Sequence, residues 1–188
     1  TQRPRNARRG EITLRVLPIC GPRGDGTIRA EGSMAKRYWL VKSEPGAYSI
    51  DDLERDGVTA WTGIRNYQAR NFMRDDMQAG DAVLFYASGD EPGITGLAEV
   101  SRKAYADETA FKKGHDSFDP KSKRDNPTWF NVDLRFVKQL ERPISLAALK
   151  QTPGLEKMVL TQKGSRLSVQ PVRPEEWEII RKMAGDCP

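Results

Sequence analysis

Cysteine and histidine are almost missing from this chain of 188 residues. Cys20 and Cys187 stand near opposite ends, and His115 is the one histidine. Two isolated thiols make no disulfide framework, and one imidazole makes neither a zinc site nor a histidine-based catalytic set. No metal and no cofactor is expected. So few cysteines fit a reducing interior, which predicts a cytoplasmic location, or a nuclear one in a eukaryotic cell. No apolar run approaches the ~20 residues that a membrane helix needs, so no membrane partner is expected. A phosphate-cradling glycine loop, a nucleophile elbow and an internal repeat are all missing as well. The main body also lacks a broad basic face. The net charge of +5 sits mostly in residues 1–33, which hold seven arginines and three acids, whereas residues 34–188 hold 24 basic and 23 acidic residues. Any polyanion contact in the main body must therefore be local.

Residues 1–33 carry Pro4, Pro18 and Pro22, five glycines, and one apolar patch from Ile12 to Cys20 broken by Arg15. That composition reads as a flexible basic extension or a non-native leader. The preferred reading makes Met34 the natural start, with Gly32-Ser33 closing added or mistranslated sequence. An arginine-rich transit peptide and a phosphate-gripping basic arm are the alternatives. Residues 34–188 form the expected single domain, long enough to bury a core.

Within that domain, Arg37 to Ser43 reads as a strand ending at Pro45-Gly46. Ser49 caps a short helix with acids in its first turn, and Gly57 ends it. Val58 to Trp61 is extended, with Gly63 as a hinge. A helix is expected from Asn66 to Met77, because Ala69, Phe72, Met73 and Met77 make one apolar stripe. Ala82 to Ala87 has the continuous apolar run of a central strand, and Ile94 to Ala104 is its antiparallel partner. Asp107 caps a short helix through Phe111. Lys112 to Asn126 is a polar surface loop containing His115, read as a mobile loop residue, and the basic run Lys121, Lys123 and Arg124. Phe130 to Phe136 alternates as a half-buried strand. Ser145 to Lys150 is a short helix, Arg166 to Gln170 a last strand, and Pro174 opens a helix that ends near Gly185. Several antiparallel strands interrupted by short helices predict an α+β domain built on a curled, partly closed β-barrel.

The chemistry concentrates in Trp61-Thr62-Gly63-Ile64-Arg65-Asn66-Tyr67-Gln68-Ala69-Arg70. Aromatic faces stack on bases, amides read base edges and arginines hold phosphates. Lys42-Ser43-Glu44-Pro45 and Ser165-Arg166-Leu167-Ser168-Val169-Gln170-Pro171 add two more polar-tipped segments. Together with Gly80-Asp81, Pro92-Gly93-Ile94 and Asn126-Pro127-x-Trp129, these residues resemble the EVE domain family over residues 36–184. The resemblance implies a PUA-like barrel related to YTH and ASCH domains. It also implies DNA or RNA carrying a modified base, such as a methylated cytosine, as partner, and the domain is expected to be a monomer. Lys42, Ser43, Trp61 and Asn66 look like a wall of the base pocket, and Trp129 is a candidate by residue type for its second tryptophan.

Each candidate also has a structural reading. Trp61 stacks on a flipped base or sits in the core, while Trp39 and Trp177 are assigned to the core. Ile64 completes the stretch between hinge and helix. Asn66 matches a base edge or caps a helix. Arg65 and Arg70 meet phosphates at a helix start or are surface charges. Tyr67 contacts the ligand or supports the pocket. Ser168 and Gln170 share one strand face, toward pocket or solvent, and Arg166 holds phosphate or the strand end. The alternative function is a small ASCH-like hydrolase of acylated nucleosides using Lys42, Ser43 and Glu44, which would have to converge although adjacent strand residues point apart. Deleting residues 1–33 is expected to leave the thermal unfolding midpoint of the domain unchanged, because the segment has no periodic apolar face to bury; a large drop on calorimetry would mean that Ile12, Leu14, Val16 or Leu17 docks on it.

Overall fold

The computed structural model describes residues 36–185. The expected extension, Cys20 and Cys187 lie outside the described residues. The most apolar stretch of the sequence forms the strand β3 (Ala82–Ala87), whose six residues are all buried. Both of its faces are covered. Val83 and Phe85 enter one core cluster, and Leu84 and Tyr86 enter another on the opposite side of the sheet. A strand buried on two faces loses the apolar–polar alternation of an edge strand, which is why its sequence is a continuous run.

Around β3 the sheet has the order β2-β5-β4-β3-β1-β6. Its other strands are β1 (Tyr38–Ser43), β2 (Val58–Ala60), β4 (Gly93–Ala106), β5 (Phe130–Ser145) and β6 (Val169–Val172). The α+β class agrees with the sequence expectation. The sheet is mixed, however, because β1 runs parallel to β3 while every other pair is antiparallel. It stays open, with β2 and β6 as its two edges. The parallel pair needs a crossover. That connection carries α1 (Ile50–Asp56), β2, α2 (Tyr67–Asn71) and a π-helical turn (Phe72–Asp76). The long β4–β5 pair has four register shifts, and such irregularities bend and twist a sheet. Pro171 falls in the edge strand β6, where a missing N–H breaks no ladder on the outer side.

One core cluster joins Trp39, Val41, Leu53, Ala69, Met73, Phe85, Val100 and Leu134 under α1 and α2. The other joins Leu40, Leu84, Ile94, Leu149, Met158 and Ile180 under α3 (Leu146–Gln151) and α4 (Pro174–Met183). Trp39 and Trp177 are core residues as expected. Trp39 Nε1 donates to Asp81 (2.9 Å), and the buried Asp81 carboxylate also accepts from the backbone of Arg37 and Gln78. Ser49 caps α1 in a reciprocal box with Asp52, and Gly57 (φ 71°) ends the helix.

The expected helix 66–77 is split. α2 ends at Asn71 and a π turn follows, closed by Met77 N–H donating to Phe72 O at 2.9 Å. The wider turn keeps Met73 and Met77 both buried. The last strand starts three residues later than expected, because residues 165–168 follow the Lys163-Gly164 turn as irregular backbone. Gln170 Nε2 donates to Ser165 Oγ and Leu167 O, and Ser168 O accepts from Lys42 N–H. Close packing near the start of β4 is tested at Gly96, where an added Cβ would lie 2.5 Å from Ile50 Cδ1 and 2.8 Å from Lys138 O. Gly96→Ala is expected to destabilise the domain by about 1–3 kcal/mol, read as a lower midpoint in urea with an unchanged slope.

Candidate nucleic-acid interface

Residues 61–66 lie in no helix or strand, so their position depends on side-chain and isolated backbone bonds. Trp61 N–H donates to Val132 O (2.8 Å), and Gly63 N–H donates to Asp107 Oδ2 (3.1 Å). Gly63 has φ 78°, and a Cβ there would lie 3.2 Å from Ser117 Oγ, so a side chain at this hinge would both strain the backbone and press on the 112–126 loop. Asn66 then caps α2, its Oδ1 accepting from the backbone of Gln68 (2.9 Å) and Ala69 (3.0 Å).

This segment forms one wall of an open cavity of 410 Å³, bordered by Lys42, Ser43, Glu44, Ala47, Tyr48, Thr59, Ala60, Trp61, Thr62 and Ile64. The volume falls in the range of small-ligand sites, about 300–1,000 Å³. Trp61 is both core and wall. It is 8% exposed, meets Phe85 edge-to-face at 5.7 Å on the core side, and meets Tyr48 edge-to-face at 6.4 Å. Its indole N–H has no hydrogen-bond partner among the described residues. Tyr48 is held by its hydroxyl donating to Asp56 Oδ2 (3.0 Å), and burial comes first among the causes that raise its pKa above the ordinary tyrosine value. Ser43 Oγ donates to Tyr48 O (2.7 Å). Lys42 Nζ donates to Ser165 O (3.0 Å), and burial lowers its pKa below the ordinary lysine value.

A second groove of 380 Å³ runs between the start of α2 and the turn before β6. It is lined by Asn66, Gln68, Gln162, Lys163, Ser165 and Arg166 among others. The two recesses adjoin through the Lys42–Ser165 hydrogen bond and through the short run from Ile64 to Asn66. Lys163 and Arg166 are exposed and belong to no ion pair among the described residues.

The candidate residues therefore separate into groups. Lys42, Ser43, Trp61 and Ile64 share the cavity, while Asn66 and Arg166 border the groove. Gln170 is buried and reaches neither recess, being held by its bonds to Ser165 Oγ and Leu167 O. Ser168 is half-buried and its carbonyl serves the β1 backbone. Arg65 has no N–H left for a phosphate. Its five donors go to Asp107, Thr109, Ile64 O and, twice, Ser117 O. Arg70 donates to Asn71 and Thr128 O and lies 4.9 Å from the centre of the Tyr67 ring. Trp129 is not in the cavity. It is buried beneath Tyr67 and Arg65, with Nε1 donating to Asp119 (2.7 Å).

Sequence reading missed Tyr48, Thr59 and Thr62 as wall residues. Tyr48 sits between the Pro45-Gly46 break and the Ser49 cap, and a large aromatic in such a connection was the available signal. No group of acids, cysteines or histidines suited to a metal occurs among the described residues, and none of their helices is long and apolar enough to cross a membrane.

An open mixed sheet with helices on both faces and an aromatic-polar recess beside β1 defines an α+β binding domain of small size. The family model for the EVE domain matches residues 37–183, and the chain belongs to the EVE domain family. Human thymocyte nuclear protein 1 is 43% identical over 163 residues, covering 76% of this chain and 72% of that protein. A crystal structure from Pseudomonas putida is 47% identical with a TM-score of 0.76, covering 78% of this chain and 99% of that one. A crystal structure of human THYN1 protein in complex with 5-methylcytosine-containing DNA is 41% identical with a TM-score of 0.74, covering 81% of this chain and 100% of that one.

The Arg65–Asp107 pair (2.8 Å) gives this segment a measurable pH signature. Burial pushes the Asp107 carboxyl up, but hydrogen bonds from Thr109, Arg65 and Gly63 outweigh it and leave the pKa below the usual value. A carboxyl lowered in the folded state contributes stability above its unfolded pKa of about 3.9, and that contribution is lost as pH falls through the lower folded value. Arg65→Ala is expected to cost about 3–5 kcal/mol, because it leaves the buried Asp107 carboxylate without its counter-charge, and Asp107→Asn is expected to destabilise the domain as well, because it removes the charge that Arg65 faces. Asp107→Asn should also flatten the acid limb of the stability–pH curve below about pH 4, whereas an unchanged limb would remove Asp107 as its source.

Proposed function

We propose that this chain is a non-enzymatic reader of nucleic acid that takes one modified base, such as a methylated cytosine, into the cavity walled by Trp61, Tyr48 and Ser43. The observation that carries this reading is the aromatic corner of Trp61 and Tyr48 beside the hydroxyl-bearing residues Ser43, Thr59 and Thr62. A base turned out of its stack needs an apolar face to replace its neighbours and polar groups for its edge. A corner of two aromatics also offers a methyl group more contact than a flat wall does. The DNA complex of the similar human protein supports the same ligand class.

Phosphates beside that base are assigned to Lys163 and Arg166 in the adjoining groove. Arg65 has the different task of holding the pocket-bearing segment in place. The partner is DNA or RNA, the acting unit is a monomer, and the compartment is the cytoplasm, or the nucleus in a eukaryotic cell. A hydrolase built on Lys42, Ser43 and Glu44 has less support. The ammonium of Lys42 is committed to Ser165 O and the hydroxyl of Ser43 to Tyr48 O, so no base activates a nucleophile.

Titration with short oligonucleotides that carry or lack 5-methylcytosine tests the reading. Trp61→Ala is expected to weaken the modified oligonucleotide by about 1–3 kcal/mol while the domain stays folded; equal affinity in variant and wild type would take the base out of the cavity. Replacing Lys163 and Arg166 by alanine together should flatten the dependence of log affinity on log salt by roughly 0.7–0.9 per lost phosphate contact. An unchanged slope would place the phosphates elsewhere.

A further inference from the structure

We infer that Tyr67 is a stacking platform for the nucleobase adjoining the one held in the cavity. This second base site rests on the cavity reading above and extends the interface by one nucleotide.

The first observation is exposure. Tyr67 is 61% exposed and is the one aromatic among the exposed large hydrophobic residues described. The second is order. One face of its ring lies on Trp129, with centroids 4.9 Å apart and planes inclined by 33°. Trp129 is in turn fixed by its hydrogen bond to Asp119 and by the Arg65 guanidinium 5.2 Å from its centre. The Arg70 guanidinium lies 4.9 Å from the Tyr67 ring. The tyrosine is therefore immobilised before any ligand arrives, and a group ordered in advance loses little side-chain freedom on binding.

The third observation is place. Tyr67 is the first residue of α2, directly after Asn66, which lines the phosphate groove. It follows Ile64 of the cavity wall by three residues, a chain span of at most about 10 Å. That is the reach of one nucleotide step in an opened strand. Arg70 makes no close ion pair among the described residues, and Asp75 feels its charge only at longer range, so its guanidinium can turn toward the phosphate between the two bases. Every base has a π-face, so the platform recognises a neighbour without regard to its identity.

The test places 2-aminopurine on the 5′ or the 3′ side of 5-methylcytosine in a short single-stranded oligonucleotide and follows its fluorescence and affinity. Free 5-methylcytosine nucleoside is titrated in parallel. For the wild type, quenching is expected on one side of the modified base. Tyr67→Ala should abolish that quenching and weaken the oligonucleotide by about 5- to 100-fold, leaving nucleoside affinity unchanged. Tyr67→Phe should retain both signals. Unchanged nucleoside binding also shows that Tyr67→Ala is folded. Oligonucleotide binding that depends on Trp61 but is unaffected by Tyr67→Ala would overturn this inference alone. Binding that is insensitive to Trp61→Ala would overturn the cavity reading and this inference with it.

Discussion

The carboxylate of Asp107 is the fixed point on which the candidate site depends. Its side chain is fully buried and accepts four hydrogen bonds. On one oxygen it receives the Gly63 backbone and the Arg65 guanidinium, and on the other the backbone and hydroxyl of Thr109. A buried charge without partners would be intolerable, so these contacts are obligatory rather than incidental. They tie the irregular segment 61–66 to the end of β4. Arg65 then extends the tie to Ser117 in the polar loop. The wall formed by this segment is thus held by the Arg65–Asp107 ion pair instead of by secondary structure.

That arrangement explains how one tryptophan can be core residue and cavity wall together. β3 and β5 pack Trp61 from behind through Phe85 and the Val132 carbonyl, and the Asp107 clamp fixes the chain just past it. A rigid aromatic beside an open recess is pre-organised for stacking. The groove next to it is different in kind. It is lined by an exposed turn and two basic side chains without an ion pair among the described residues, suited to a flexible phosphate backbone. The near-neutral domain needs no broad basic face if phosphate contacts are confined to that turn.

Features governed by local physics were legible in the sequence. The run Ala82–Ala87, the Ser49 cap, Gly57, the Asp107 cap and Pro174 all act within a few residues of themselves, and each falls where the pattern predicts. Lys42, Ser43, Trp61 and Ile64 were also placed at element ends, and they share one cavity. What could not be read was long-range pairing. Arg65 looks like a phosphate ligand until Asp107, 42 residues away, is seen against it. Trp129 matches a cage residue by type but is turned toward Asp119. Gln170 sits in an alternating pattern that breaks, because irregular backbone at 165–168 replaces the start of the strand. The parallel β1–β3 pair has no local signature, since a crossover fixes strand direction only through the whole connection.

The central claim is that the recess beside β1 holds a single base extracted from its stack. It is tested most directly by a crystal structure of this domain with a short oligonucleotide carrying 5-methylcytosine. The account predicts the modified base inside the 410 Å³ cavity, with its ring or methyl group against Trp61 and Tyr48 and its edge toward Ser43. A complex in which the base stays stacked in the nucleic acid and the cavity is empty would contradict it.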